Sequence, residues 1–151
     1  MRKLLIILLL LFVPVSVEAA SSYAVVDAET GRVLMGEAEN TRHPIASLTK
    51  MWTALVAIEE GNLNDTVTIS KKAVYSEGSS IYLQEGDQYK LEELLYGLML
   101  RSGNDAATAI AEHVGGSVEG FVKLMNDKAV LYGLNGTTFA NPSGLHHETH
   151  L

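Results

Sequence analysis

Two residues three positions apart could together form an activated nucleophile. Ser47 and Lys50 follow Pro44, and an apolar run at 51–58 continues the pattern to Gly61. Proline near the first turn and glycine after the last are typical helix boundaries, so the pattern predicts a helix with Ser47 in its first turn. Because residues three apart are neighbours on a helix, the Lys50 amine can reach the Ser47 hydroxyl, an arrangement suited to covalent catalysis.

The pair is a weak signal when it stands alone. The chain contains 11 serines and 7 lysines, so a Ser-x-x-Lys match arises by chance in roughly every second chain of this composition. The alternative interpretation is a helix N-cap serine followed by a surface lysine. The pair therefore indicates a catalytic serine only if further motifs in the sequence point to the same kind of enzyme.

The first nineteen residues have the features of a secretion signal. Arg2 and Lys3 precede an apolar stretch at 4–13, and small residues end this segment at Ala19. We expect cleavage after Ala19, which leaves residues 20–151 as one exported domain. The apolar stretch is nearer ten residues than the twenty or so that a membrane-spanning helix needs, and an uncleaved N-terminal anchor is the alternative.

Composition excludes several classes of function. The chain has 11 Lys and Arg against 18 Asp and Glu. Removal of Arg2, Lys3 and Glu18 with the signal leaves a net charge of about −8, which argues against a nucleic-acid or anionic-membrane surface. Since the chain has no cysteine, an exported form depends on a packed core and not on disulfides.

Short strands and loops are predicted in two regions. The β-rich runs 22–27 and 32–36 surround Gly31, which suits a positive φ, so they predict an antiparallel hairpin. A further extended run is expected at 66–69. The stretch 71–89 is interrupted by glycine and serine, which predicts loops and short helical turns along one side of a cleft.

Three helices are predicted in the second half of the chain. Apolar periodicity indicates a buried helix at 91–100, followed by helices at 105–113 and about 118–132. Between the first two lies Ser-Gly-Asn, in which Gly103 suits the C′ position of one helix, and Asn104 or Asp105 suits the N-cap of the next. The buried helix should therefore hold this tripeptide firmly.

The chain ends in a histidine-rich strip. His146, His147, Glu148 and His150 could in principle hold zinc, but they lie on a terminal, turn-rich segment with no predicted scaffold. The plainer interpretation is a solvated end. We therefore predict no metal and no cofactor.

Several motifs together resemble one enzyme family. Ser47-Leu48-Thr49-Lys50 and, 52 residues beyond Lys50, Ser102-Gly103-Asn104 resemble the serine-type D-alanyl-D-alanine carboxypeptidases, the low-molecular-mass penicillin-binding proteins of peptidase family S11. The resemblance is to a carboxypeptidase and not to a β-lactamase, because the Ser-Gly-Asn and Asn-Pro-x-Gly-Leu segments look like the peptidase and no motif marks a dedicated deacylating Glu. Further segments that look like this family are Pro44-Ile45-Ala46, Gly78-Ser79-Ser80, Met125-Asn126 and Asn141-Pro142-x-Gly144-Leu145.

The resemblance implies both a fold and residue roles. The fold would be α+β, a penicillin-binding-protein/β-lactamase-like transpeptidase fold with an antiparallel sheet flanked by helices. Ser47 would attack the penultimate D-Ala of a peptidoglycan pentapeptide stem, with Lys50 as the base and the Ser47 N–H as one oxyanion donor. Ser102 would relay a proton to the leaving amine, and Asn104 would hold the substrate amide.

One family motif has no counterpart in this sequence. None of the seven lysines is followed by Thr/Ser-Gly, and Arg101-Ser102-Gly103, which has a similar outline, is continuous with Asn104 and belongs to the second motif. By resemblance, the family continues after Leu151 with more helix and three further strands. We therefore expect 20–151 to be the N-terminal part of a catalytic domain, truncated before the C-terminal strands.

The resemblance also implies partners and a location. β-Lactams would be covalent inhibitors, and the protein would act in the periplasm or at the outer face of the cytoplasmic membrane. Membrane association would come only from the signal peptide or from a missing C-terminal region, and no nucleic acid would bind.

Two alternative functions remain open at this point. The chain could be a non-catalytic remnant of the family that at most binds wall peptide or β-lactam. A zinc-dependent amidase that uses His146, His147 and His150 is the more distant alternative.

Overall fold

A computed structural model describes residues 22–150, so the predicted signal sequence lies outside the described residues. Backbone contacts divide the chain into two compact units, one ending at Thr41 and the other running from Arg42 onward. No helix within the described range is long and apolar enough to span a bilayer.

The first unit contains the predicted hairpin. β1 (Tyr23–Val26) pairs antiparallel with β2 (Val33–Glu37). The Gly31 N–H donates to the Asp27 carbonyl at 2.9 Å, and Gly31 has φ +70°. The turn therefore uses glycine where the backbone enters the left-handed region, as the sequence indicated.

The second unit begins with the element that carries Ser47. A single 3-10 turn (Ala46–Leu48) leads directly into α1 (Thr49–Glu60), which ends at Gly61. Ser47 therefore lies in the 3-10 turn just before the α-helix and not in the first α-helical turn. The buried side of α1 includes Thr49, Lys50, Thr53, Ala54, Val56 and Ala57.

A two-stranded sheet follows α1. β3 (Thr66–Thr68) pairs antiparallel with β4 (Gln88–Lys90). Between them lies the single-turn helix α2 (Lys71–Val74) and then a loop, which matches the predicted mixture of loops and short helical turns.

Three helices complete the unit and supply most of its core. They are α3 (Leu91–Arg101), α4 (Asn104–Gly115) and α5 (Val118–Leu131). α4 buries Ala106, Ala107, Ala109, Ile110 and Ala111, and the four small alanine side chains allow its neighbours to approach closely. The tripeptide Ser-Gly-Asn thus sits at the junction of two firmly packed helices.

Candidate active site

A cavity of about 370 Å³ lies between the start of α1 and the end of α3. Ser47, Lys50 and Ser102 line it, together with apolar side chains that include Met51 and Met99. The structure therefore brings together three of the four residues that the sequence singled out.

The three polar groups form a short chain of contacts. Ser102 Oγ donates to Ser47 Oγ at 3.1 Å, and Lys50 Nζ lies 3.5 Å from the same Ser47 oxygen. Catalytic hydrogen bonds are often long in ligand-free enzymes, so 3.5 Å is within the range of a working base. Both candidate proton carriers thus contact the candidate nucleophile.

Lys50 is held in an environment that favours its neutral form. The side chain is only 3% exposed, and Nζ donates to the Ser143 carbonyl at 2.7 Å. Burial lowers the pKa of Lys50 below its ordinary value of 10.5, because desolvation disfavours the ammonium form. A lysine with a lowered pKa gives up its proton more easily than an exposed lysine, which suits the role of a general base.

The backbone of Ser102 turns its hydroxyl toward Ser47. Ser102 adopts φ +55°, ψ +35° at the end of α3, a left-handed conformation that non-glycine residues rarely occupy. Gly103 follows this C-cap residue as predicted, but the left-handed conformation falls on Ser102, and Gly103 has φ −64° and is the N-cap of the next helix. Unusual backbone at a non-glycine residue is found preferentially at functional sites.

Asn104 does not line the cavity that holds Ser47. Its Nδ2 donates to the Glu77 carbonyl at 2.6 Å, and it lines a neighbouring cavity of about 270 Å³ with Ser143 and Leu145. Its Oδ1 is buried and has no hydrogen-bond partner among the described residues. A buried acceptor without a partner is costly, so this oxygen is available to a donor from a ligand.

Asp105 holds the loop beside the site. Its carboxylate accepts from the Ser80 hydroxyl at 2.6 Å and from the N–H groups of Ile81 and Leu83 at 3.1 and 3.2 Å. Burial alone would raise the pKa of Asp105, but the hydrogen bonds outweigh burial and lower it. The carboxylate is thus ionised and clamps the loop to the start of α4.

A second loop holds Lys50 from the other side. Asn141 Oδ1 accepts from the N–H groups of Ser143 and Gly144, which shapes the turn that presents the Ser143 carbonyl to Lys50. Gly144 has φ +80°, and a Cβ there would lie 1.9 Å from the Ala46 carbonyl oxygen. Only glycine allows this loop to approach the turn that carries Ser47.

His150 is buried, so the expectation of a solvated end is wrong for this residue. It is 4% exposed, its Nδ1 accepts from the Ala140 N–H at 3.3 Å, and its Nε2 lies 2.8 Å from Thr49 Oγ1. Burial, and to a lesser degree His147, lowers the pKa of His150. The ring is therefore neutral and donates through Nε2 to Thr49, the residue directly before Lys50.

The other terminal histidines are exposed. Within residues 22–150, no group of three or more His, Cys, Asp or Glu side chains is placed to hold a metal ion.

Sequence reasoning missed the residues that support the site. Ser143, Asp105 and His150 were given no role in it, because their contacts reach elements 22 to 101 residues away in the chain. The Asn-Pro-x-Gly-Leu segment could have indicated the loop that holds Lys50, because it was noted as a family-like motif to which no role was assigned.

Comparison with known proteins connects this geometry to a family. The family model for D-alanyl-D-alanine carboxypeptidase, Peptidase_S11, matches residues 13–151. The chain is 41% identical over 136 residues to D-alanyl-D-alanine carboxypeptidase DacF of Bacillus subtilis, covering 87% of this chain and 35% of that protein.

Solved structures show the same fold. D-alanyl-D-alanine carboxypeptidase DacD from Francisella tularensis is 33% identical with a TM-score of 0.82, covering 91% of this chain and 35% of that one. The enzyme from Mycobacterium tuberculosis is 38% identical with a TM-score of 0.81, covering 86% of this chain and 49% of that one. The predicted mixed fold of helices and antiparallel sheet is confirmed.

The chain spans about a third to a half of the length of these relatives. The family model nevertheless covers most of the sequence, including the nucleophile turn, the Ser-Gly-Asn junction and the loop that holds Lys50. The chain belongs to the D-alanyl-D-alanine carboxypeptidase family, peptidase S11.

Proposed function

We propose that this protein is an exported serine-type D-Ala-D-Ala carboxypeptidase that removes the terminal D-Ala from peptidoglycan stem peptides. The observation that carries the proposal is the contact of Ser47 Oγ with both Lys50 Nζ and Ser102 Oγ in one cavity. Residues 1–19 act as the signal peptide, and 20–151 form the N-terminal part of the catalytic domain.

The reaction proceeds through an acyl-enzyme. Ser47 Oγ forms a bond to the carbonyl carbon of the penultimate D-Ala while its proton moves to Lys50 Nζ. The C–N bond then breaks, the leaving amine takes a proton by way of the Ser102 hydroxyl, and water later hydrolyses the Ser47 ester. The Ser47 N–H supplies an oxyanion donor, and the Asn104 Oδ1 accepts from a substrate amide.

A non-catalytic remnant is the second candidate. The sequence contains no Lys-Thr/Ser-Gly, the third motif of the family that it resembles. Loss of a single oxyanion donor typically lowers the rate on the order of a hundredfold or more. A remnant would bind wall peptide or a β-lactam without release of D-alanine.

The two candidates are separated by turnover. We expect the chain to release D-alanine from diacetyl-Lys-D-Ala-D-Ala, with the release abolished in Ser47→Ala and reduced by more than about a hundredfold in Lys50→Met. No release by the wild type, with the peptide still bound, would favour the remnant. Release that persists in Ser47→Ala would contradict the assignment of the nucleophile.

A further inference from the structure

The loop 139–150 covers the start of α1 and forms one wall around Lys50. Lys50 Nζ donates to the Ser143 carbonyl and, three residues later on α1, the Thr53 hydroxyl donates to the Pro142 carbonyl, both at 2.7 Å. Lys50 is 3% exposed and Thr53 is fully buried. Both acceptors are backbone carbonyls of the loop, so Lys50 keeps its acceptor and its burial only while the loop keeps its course.

His150 ties the end of this loop to its beginning and to α1. Its Nδ1 accepts from the Ala140 N–H at 3.3 Å, and its Nε2 donates to Thr49 Oγ1 at 2.8 Å. His150 is 4% exposed and Thr49 is fully buried. One imidazole ring therefore closes a loop between residues ten apart in the chain and fastens it to the residue directly before Lys50.

Aromatic packing holds the His150 ring in one orientation. The ring stands edge-on to Phe139, with centroids 5.8 Å apart and planes at 88°, and Phe139 stacks on Trp52 of α1 at 5.8 Å and 7°. Such pairs are favourable aromatic geometries. A neutral imidazole has one donor and one acceptor nitrogen, and here both are used inside the loop junction.

The environment of Lys50 depends on this cover and not on a neighbouring charge. Among residues 22–150, no carboxylate lies within 4 Å of Lys50 Nζ, and burial is the cause that lowers the pKa of Lys50. His150 adds no charge nearby, because burial and, to a lesser degree, His147 lower its own pKa. Water that reached Nζ would therefore remove the cause of the lowered pKa.

We propose that His150 is a positioning residue for Lys50, which closes the loop 139–150 over the start of α1 and so keeps water from Nζ. The role in catalysis rests on the proposed function, in which Lys50 is the base. A loop released from Thr49 admits water to Nζ and raises the pKa of Lys50 toward 10.5. Less of the neutral amine is then present at neutral pH.

Titration of Lys50 tests the proposal without need of turnover. The chain is labelled with carbon-13 at lysine Cε, its NMR signals are followed against pH, and Lys50→Met identifies the Lys50 signal. We expect His150→Ala to raise the midpoint toward 10.5, and His150→Gln, whose amide can still donate to Thr49, to keep most of the wild-type value. The matched control His113→Ala, which removes a histidine bonded to Asp65, should leave the midpoint unchanged.

The same substitutions have an expected effect on acylation by benzylpenicillin. For each pH unit by which the Lys50 midpoint rises, the neutral fraction at a pH well below the midpoint falls about tenfold. Acylation of His150→Ala should therefore be slow at neutral pH and recover as the pH rises, whereas His150→Gln should follow the wild type. A merely structural role of His150 would lower the rate equally at every pH.

Several results would overturn the proposal. A folded His150→Ala chain with the wild-type midpoint would do so, as would equal midpoints in His150→Ala and His150→Gln, or an acylation rate lowered equally at every pH. Should His150→Ala fail to fold by circular dichroism, Thr49→Val removes the same hydrogen bond from the α1 side, and an unchanged midpoint there would overturn the proposal. A chain whose Lys50 midpoint responds as expected but which releases no D-alanine would contradict the proposed function and leave this inference standing.

Discussion

Replacement of Asp105 by asparagine tests whether one buried carboxylate holds the loop beside the site. The carboxylate accepts from the Ser80 hydroxyl and from the N–H groups of Ile81, Leu83 and Ala106. Asparagine has nearly the same shape, but one of its two terminal atoms donates where the carboxylate accepts. The substitution therefore removes charge and acceptors while it leaves the volume unchanged.

The magnitude follows from the contacts that are lost. If the amide oxygen keeps the bonds from Ala106 and Ile81, the amide nitrogen faces the Leu83 N–H, and the charge-assisted bond from Ser80 is also lost. Each hydrogen bond to a charged group contributes about 1.5–3 kcal/mol. Two such losses predict a decrease of roughly 3–6 kcal/mol in the free energy of unfolding.

Equilibrium urea unfolding followed by circular dichroism measures this difference. Asp127→Asn is the matched control, because Asp127 forms an exposed ion pair with Lys123, and its loss should cost less than about 1 kcal/mol. The pKa of Asp105 is lower in the folded state than its ordinary value of 3.8. The stabilisation that the ionised carboxylate provides is therefore complete above pH 3.8, and it is lost as the pH falls through the pKa of the folded state. The gap between wild type and Asp105→Asn should therefore narrow in acid below pH 3.8. A gap under about 1 kcal/mol at neutral pH, or one that does not narrow in acid, would refute the reasoning.

Three further predictions concern the groups around the nucleophile. Because burial lowers the pKa of Lys50, acylation by a β-lactam should rise with pH and level off below 10.5, and a plateau only above 10.5 in stopped-flow measurements would contradict the role of burial. Thr49→Val leaves a buried N–H of His150 without an acceptor and should lower the free energy of unfolding by about 1–3 kcal/mol in urea. Thr49→Ser keeps the hydroxyl and should lower it less. Equal decreases for the two variants would argue against this hydrogen bond. Gly144→Ala should destabilise the protein more than Gly86→Ala. Both glycines have a positive φ, +80° and +86°, but only at Gly144 would an added Cβ collide with the neighbouring backbone. Similar urea unfolding midpoints for the two variants would contradict this close approach.

The spacing of apolar residues and the positions of glycine and proline were sufficient to predict the local helices and strands. The run from Pro44 to Gly61 predicted a helix that places Ser47 beside Lys50, and the structure has this pair 3.5 Å apart. The hairpin turn at Gly31 and the helix from Val118 were predicted for similar reasons. These features depend on neighbours within one or two turns, which is the range that a sequence pattern encodes.

The rest of the site depends on packing between distant elements. Ser102 reaches Ser47 because α3 packs near α1 and because the left-handed turn falls on Ser102, which also sends Asn104 into a different cavity. Lys50 is buried by a loop 93 residues away in the chain, and this burial lowers its pKa. No local pattern specifies such contacts, so only the family resemblance anticipated that the two motifs would meet.

The central claim is that Ser47 is an activated nucleophile, and covalent trapping tests it most directly. The purified chain is incubated with benzylpenicillin, its intact mass is measured, and the modified peptide is located after proteolysis, with Ser47→Ala as the control. We expect one adduct, carried by the peptide that contains Ser47 and absent from the control. A folded wild-type chain that forms no adduct, or an adduct that persists in Ser47→Ala, would contradict the claim.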